Sequence, residues 1–520
     1  MTDINIDSGD KELRKQNNSC SRTRKLYFNT VGALAYRLVM VVSGFILPRF
    51  FLVAYGSNIN GLVNSISSFL GFIALADLGV SSVVESSFYG PLAKNQRKET
   101  SEIWKSSSRF FRVIAIVLLL YVAILCGVYP MIVKSSYSYL YIDLLFLAIC
   151  IGTFAQYFLG ITNSLLLHAD QRGYIVYIID SIAIILNTVI SCALIYWGLQ
   201  IHLVKLVSSI IFLGKPILYQ VYVSTHYNLD KNIKFDGEPI KQKWNGFAQH
   251  ISAVVLDKTD IIVLTVFSTL ENVSIYGVYN LVVTGVRDIV QTSASGIQAL
   301  FGNLLANNEM EKLKDFFAVT EWGIHTATTF VFTITGILIM PFINVYTRGI
   351  HDANYIVPLF AVLITLAQAV RSLKLPYNLM VLAAGHYKQT QTSSFIEAGL
   401  NILISIIAVF KLGLVGVAMG TLMGMAYRTF YLAWYLSKNI INRNISNFIK
   451  HILIDILSVV VIFFSINWLV YSPNGYIAWI ILAIKVSVIG LGVCILLNLI
   501  FYRKEMIHLL MYVKKRKKSA

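Results

Sequence analysis

Fourteen apolar stretches, each long enough to cross a bilayer, follow one another almost without pause between residues 29 and 502. Their approximate limits are 29–53, 62–89, 110–133, 139–166, 174–197, 202–223, 245–268, 273–302, 322–346, 356–384, 393–411, 414–437, 450–471 and 476–502. About 20 helical residues cover the ~30 Å hydrocarbon core of a membrane. Core helices of soluble proteins are neither so long nor so many. A membrane β-barrel would show alternating segments of about ten residues, and none is present. The expected fold is therefore an all-α polytopic membrane protein with 14 transmembrane helices. Composition agrees: of 520 residues, 56% are hydrophobic and 13% charged, against about 25% charged in soluble domains. No connection between stretches is long enough to hold a soluble catalytic domain.

The net charge is +17. With an even number of spans both tails lie on one side. That side collects twenty-nine Lys and Arg in its tails and loops, and the opposite loops collect three, Lys134, Arg348 and Lys411. Basic loops stay cytoplasmic, so both termini are expected there, in a multi-pass protein of a bacterial cytoplasmic (inner) membrane. Topology and anionic headgroups account for the basic tails without nucleic acid. Residues 1–28 are polar and basic, with no apolar core and cleavage site of a signal peptide.

Landmarks recur about 214 residues apart. Gly32 matches Gly246, Gly61-Leu62-Val63-Asn64 matches Gly277-Val278-Tyr279-Asn280, and Leu92-Ala93-Lys94-Asn95 matches Leu304-Leu305-Ala306-Asn307. Asn187 matches Asn401, and Gly198-Leu199 matches Gly413-Leu414. A unit of six spans repeats with one orientation, as in transporters whose lobes are related by an axis along the membrane normal. The expected organisation is a basic cytoplasmic tail (1–28), an N-lobe of helices 1–6 (29–225), a cytoplasmic linker (226–244), and a C-lobe of helices 7–12 (245–438). Helices 13–14 (450–502), outside the repeat, and a basic cytoplasmic tail (503–520) complete it.

The motifs of common enzyme chemistry are missing. There is no G-x-x-x-x-G-K-[ST] loop for nucleotide phosphates and no H-E-x-x-H metal site. The five cysteines (Cys20, Cys126, Cys150, Cys192, Cys494) form no C-x-x-C pair, and the nine histidines show no ligand spacing. A carrier without cofactor or metal is expected, not an enzyme.

Eleven basic and nine acidic residues remain within or at the edges of spans. An isolated charge at the centre of a bilayer costs at least ~2.5–3.5 kcal/mol, so each needs a partner or a polar cavity. Arg112, Lys205 and Asp143 sit near span ends, where a long side chain reaches the interface. The deep cations are Arg37, Lys258, Arg287, Arg371, Lys374 and Arg428, with Arg49 at the end of the first span. Arg371 and Lys374 are one turn apart on one helix face. A cationic cavity fed by both lobes suits an anionic substrate such as a pyrophosphate, because Arg offers a fork of donors to phosphate oxygens. Asp257 and Asp260 share a face and bracket Lys258, and Asp288 adjoins Arg287. These acids either neutralise the cations locally or serve as proton or sodium sites for coupling. Asp77 and Glu85, eight residues apart, are candidate partners for Arg37 or Arg49.

Three stretches carry a resemblance to a known superfamily. Leu47-Pro48-Arg49 at the end of span 1 is followed by Tyr55-Gly56 and Asn60-Gly61-Leu62; Leu75-Ala76-Asp77-Leu78-Gly79 lies in span 2; the tail of span 8 runs into Leu304-Leu305-Ala306. Together with fourteen spans and a 6+6 repeat they resemble the multidrug, oligosaccharidyl-lipid and polysaccharide exporters, and within them the O-antigen, capsule and exopolysaccharide repeat-unit flippases. The resemblance implies a flippase for an undecaprenyl-pyrophosphate-linked oligosaccharide repeat unit, working by alternating access beside membrane lipids, a polysaccharide polymerase and chain-length machinery. It implies headgroup contacts at Arg37, Arg49, Lys258, Arg287 and Arg371. By similarity to peptidoglycan-precursor flippases, spans 13 and 14 would hold the lipid tail, although they carry Asp455 and Lys485. The alternatives are a multidrug or organic-cation antiporter of the same superfamily and a lipid II flippase. A membrane glycosyltransferase or polymerase would need a large external loop, which the sequence lacks.

Overall fold

The computed structural model describes residues 6–77, 79–133, 135–233, 240, 247–294, 296–469, 471–503 and 505–506, with the side chains of 6–24, 26 and 247–249 left aside. Parts of the expected tails and linker therefore fall outside the described residues, including Lys234, Lys241, Lys243 and Lys514–Lys518, as does Lys134 of an opposite loop. Among the described residues the chain is all-helical, with no β-strand. Helix occupies each of the fourteen expected stretches, and eleven segments are long and apolar enough to cross a membrane. The first expected span and the start of the second fall within one such segment, Tyr27–Asp77. The helices over 245–268 and 414–437 are outside the eleven; they carry Asp257, Lys258, Asp260 and Arg428. The charges that make them poor spans by composition are those of the candidate site.

The chain divides into two compact units, Met1–Ala54 with Phe69–Phe247, and Tyr55–Ser68 with Ala248–Ala520. The first contains the start of α1 (Ile6–Gly71), a 3-10 turn (Phe72–Asp77), α2 (Val80–Ala93), α3 (Arg97–Ile132), α4 (Tyr139–Ala155), a π turn (Gln156–Gly160), α5 (Ile161–Ala169), α6 (Gly173–Tyr196) and α7 (Ile201–His226). Its core includes Phe69, Tyr129 and Phe146, whose rings meet edge to face at 5.1 and 4.8 Å. Such aromatic contacts pack interiors without needing a hydrophobic drive between helices in lipid. The outward side chains are apolar: Leu120 is 63% and Met131 74% exposed, a surface suited to acyl chains rather than water.

The second unit contains α8 (Phe247–Phe267), α9 (Leu270–Ser293), α10 (Ile297–Ala306), α11 (Met310–Tyr346), α12 (Pro358–Leu373), α13 (Leu375–Ala383), α14 (Gln391–Leu412), α15 (Leu414–Asn439), α16 (Ser446–Ile466) and α17 (Tyr476–Phe501). Residues 55–68 join it because α1 breaks at Gly56 (φ 79, ψ 175). Asp352 accepts the freed Ser57 N–H at 2.6 Å and the Ser57 hydroxyl at 2.7 Å, and Asn60 donates to Ser274 at 2.8 Å. A Cβ on Gly61 would lie 1.8 Å from the Leu270 carbonyl oxygen, so only glycine permits this approach.

The repeat is visible in the backbone. Positive φ recurs in pairs at Gly79 and Gly296, Asn95 and Asn308, Gln171 and Gly385, and Gly198 and Gly413. Lys94 and Asn307 are the matching C-caps of α2 and α10. The correspondence at this turn is therefore one residue away from the Asn95–Asn307 match read from sequence. The left-handed position after the cap fixes the register, and Asn tolerates it.

Packing of α14 on α15 sets up the candidate site. Gly416, Gly420 and Gly424 form a small-residue stripe of the kind that lets membrane helices touch backbone to backbone. Cβ atoms at these positions would lie 2.5 Å from the Ala408 carbonyl, 2.7 Å from Ser405 N and 2.9 Å from Glu397 O. The described cysteines Cys126, Cys150, Cys192 and Cys494 are free thiols.

Candidate functional site

The second unit gathers four of its deep cations around three carboxylates. Arg371, at the end of α12, donates through Nη1 to Asp257 Oδ1 of α8 at 2.5 Å. Arg287 of α9 reaches the same oxygen at 3.6 Å. Its fork also folds back on Asp288 at 3.1 Å and touches Gln368 at 3.5 Å. Adjacent helical residues point about 100° apart, yet the length of the arginine closes that pair. Lys374, between α12 and α13, donates to Glu397 Oε1 of α14 at 2.6 Å. Arg428 of α15 lies 3.7 Å from Glu397 Oε2. Its other donors go to the Thr390 carbonyl at 2.9 Å and to the Ser393 hydroxyl.

Exposure separates these groups. Glu397 and Arg428 are each 3% exposed, Arg371 12%, Lys374 15% and Asp257 42%. Arg428 is thus locked into the α14–α15 packing, whereas Asp257 faces open space. A cavity of about 170 Å³ is bordered by Arg371, Lys374, Arg428, Glu397, Ser252 and Asn378. Four cations meet three carboxylates (Asp257, Asp288, Glu397), so the group retains positive charge. Arginine forks in such a low-dielectric setting favour oxyanions. Lys258 follows Asp257 on α8 and is half-buried.

Asp260, one turn along α8, has a different environment. Tyr276 donates to its Oδ2 at 2.9 Å, Thr421 to the same oxygen at 2.6 Å, and Asn401 to Oδ1 at 3.3 Å. Among the described residues it has no cationic partner, and it is 2% exposed. The Asn401 side-chain carbonyl beside it is buried without a hydrogen-bond partner. A membrane-embedded acid held only by neutral donors remains available to a proton or small cation. No group of three or more His, Cys, Asp or Glu that could hold a metal occurs among the described residues.

The remaining candidates lie in the first unit. Arg37 is exposed and Arg49 half-buried, both on α1. Asp77 is buried and accepts the Ser81 N–H at 3.1 Å and hydroxyl at 2.8 Å, satisfying the first turn of α2 beyond Gly79. Glu85 accepts from Tyr89 at 3.2 Å. The sequence reading singled out neither Glu397 as the partner of Lys374 nor Asp180 as that of Lys215, which pair at 2.6 and 2.8 Å. The only sequence signal was that each is an acid inside a span.

A scan of protein-family models gives no match, and a search of curated proteins gives none. Solved structures do match. The chain is similar to the lipid II flippase MurJ in an inward closed conformation, with TM-score 0.62 and 17% identity over 92% of this chain and 99% of that one. It is similar to an inward-facing multidrug resistance MATE family transporter of the MOP superfamily, with TM-score 0.58 and 13% identity over 81% and 99% of the two chains. It is also similar to the MATE multidrug transporter DinF-BH, with TM-score 0.60 and 14% identity over 80% and 95%. At these identities the likeness establishes the fold. The chain is a multi-pass membrane protein with the fold of these flippases and transporters, the fold that the resemblance in sequence implies.

Proposed function

We propose that the protein is a flippase that carries an undecaprenyl-pyrophosphate-linked oligosaccharide repeat unit from the cytoplasmic to the outer leaflet by alternating access, for surface polysaccharide synthesis. It works in the bacterial inner membrane with both termini cytoplasmic. The observation that carries this reading is the convergence of Arg287 and Arg371 on the half-exposed carboxylate of Asp257. Asp257 holds Arg371 and shares Arg287 with Asp288; a pyrophosphate offers more acceptor oxygens and more charge and takes both arginines over. Lys374 supplies a further point charge beside Arg371. Lys258 adds a further cation on α8, and Arg428 holds Glu397 in place; Arg37 and Arg49 are the headgroup candidates of the first unit. Asp260 couples transport to an ion: it lies one turn from Asp257 on α8, so neutralising it acts on the helix that organises the arginines.

A lipid II flippase is the second reading, supported by the larger share of the chain aligned with MurJ than with the MATE transporters. The test is a deletion strain complemented with Arg287→Ala or Arg371→Ala. Loss of surface polysaccharide with normal membrane insertion supports the first reading; wild-type polysaccharide in both variants overturns the cationic site. Loss of viability on depletion selects lipid II, and altered drug susceptibility with intact polysaccharide selects a multidrug antiporter.

A further inference from the structure

A second buried polar cluster lies in the second unit where α11, α13, α16 and α17 meet. Glu321 of α11, 1% exposed, receives Arg443 on both oxygens at 2.5 and 2.6 Å. That bidentate pair keeps Glu321 ionised, and an ionised carboxylate only accepts hydrogen bonds. Tyr377 of α13 is 2.7 Å from Glu321 Oε1, so its hydroxyl proton points there. The Tyr377 oxygen must then accept from His325 Nε2, 2.8 Å away. The other ring nitrogen, Nδ1, is 2.6 Å from Asp455 Oδ2 of α16, while Thr329 donates to Oδ1 at 2.8 Å.

A neutral imidazole has one ring proton, and Tyr377 takes it. The 2.6 Å contact between Nδ1 and Asp455 needs another. We infer that the His325–Asp455 pair is a proton-binding site, holding one proton more than a neutral histidine beside a carboxylate. Proton assignments follow from the whole network rather than from one contact. His451 is the internal control: Nδ1 lies 2.6 Å from the Tyr502 hydroxyl and Nε2 3.5 Å from Glu321, one acceptor and one donor, as a neutral ring requires.

Charge balance points the same way. The groups facing the pair are Glu321 from α11, Tyr377 from α13, Arg443 from the α15–α16 connection, His451 from α16, Cys494 from α17 and Tyr502 just beyond it. Glu321 and Asp455 against Arg443 leave one uncompensated negative charge among Phe317, Trp322 and Phe448, and the bound proton cancels it. It also closes the hydrogen bond that fastens α16, part of the helix pair outside the repeat, to α11. Its loss sets two carboxylates against one guanidinium and opens that seam. The site is thus a proton-dependent tether for the α16–α17 pair, separate from Asp260.

The test is ¹⁵N-histidine NMR and infrared spectroscopy of the full chain in lipid nanodiscs at neutral pH, with His325 assigned by its loss in His325→Gln. The expected result is a doubly protonated His325 ring, or a singly protonated ring together with a protonated-carboxyl band that disappears in Asp455→Asn. His451 should show one bare nitrogen. A singly protonated His325 without that band overturns the inference. The decisive spectra come from the unmodified protein, so poor folding of a variant does not remove the test.

Discussion

Arg371 and Asp257 are separated by 114 residues in sequence and meet at 2.5 Å, with Arg287 converging on the same carboxylate oxygen. Two arginines on one half-exposed acid form a site that keeps net positive charge and is open to a better anion.

Replacing Arg371 by Ala should lower transport roughly tenfold to a hundredfold, since a hydrogen bond to a charged group is worth about 1.5–3 kcal/mol. Arg371→Lys should recover only part of it, because an ammonium cannot present a fork. Flipping of a labelled pyrophosphate-linked lipid in proteoliposomes measures both.

Asp257→Asn should separate binding from turnover. Removing the anion of Asp257 frees Arg371 and leaves Arg287 to Asp288 alone, so binding of a pyrophosphate lipid should tighten while multiple-turnover flipping slows. Binding by tryptophan fluorescence beside the flipping assay checks this; weaker binding would show that Asp257 supports the substrate rather than competing with it.

Asp260→Asn should abolish ion dependence with little loss of fold, since the amide keeps the size and can still accept from Tyr276 and Thr421. Residual flipping should no longer respond to an imposed proton or sodium gradient across proteoliposomes. An unchanged response would remove Asp260 from coupling.

Gly420→Val should destabilise the second unit by at least about 1–3 kcal/mol, the usual cost of overpacking. Its Cβ would fall 2.2 Å from Ser405 Oγ, and the backbone 2.7 Å away cannot swing aside as a side chain does. Pushing α14 from α15 should also loosen Lys374 from Glu397, lowering both thermal stability and transport in detergent-purified protein.

Asp352→Ala should cost about 0.5–2 kcal/mol, the range for losing a helix N-cap, because the Ser57 N–H after the Gly56 break loses its acceptor. A lower midpoint in thermal unfolding, with Asp352→Asn nearer to wild type, is the expected outcome.

The helices, their approximate limits and the repeat were legible because each is a local property of the chain. Apolar length sets a span wherever its neighbours lie, and Gly198 and Gly413 mark corresponding turns because their φ is positive in both halves. The deep cations were legible for the same reason, as Arg287, Arg371 and Lys374 stand out in apolar runs. Their partners were not. Lys374 finds Glu397, Asp257 is shared by two arginines, and Asp455 meets His325 only because the rotation and approach of α8, α11, α14 and α16 bring them together. Helix rotation is fixed by contacts such as Gly420 against Ser405, and small-residue contacts leave no charge or hydropathy signal of their own. The sequence by itself determined how many charges enter the membrane; the tertiary structure decided which of them neutralise one another and which face open space.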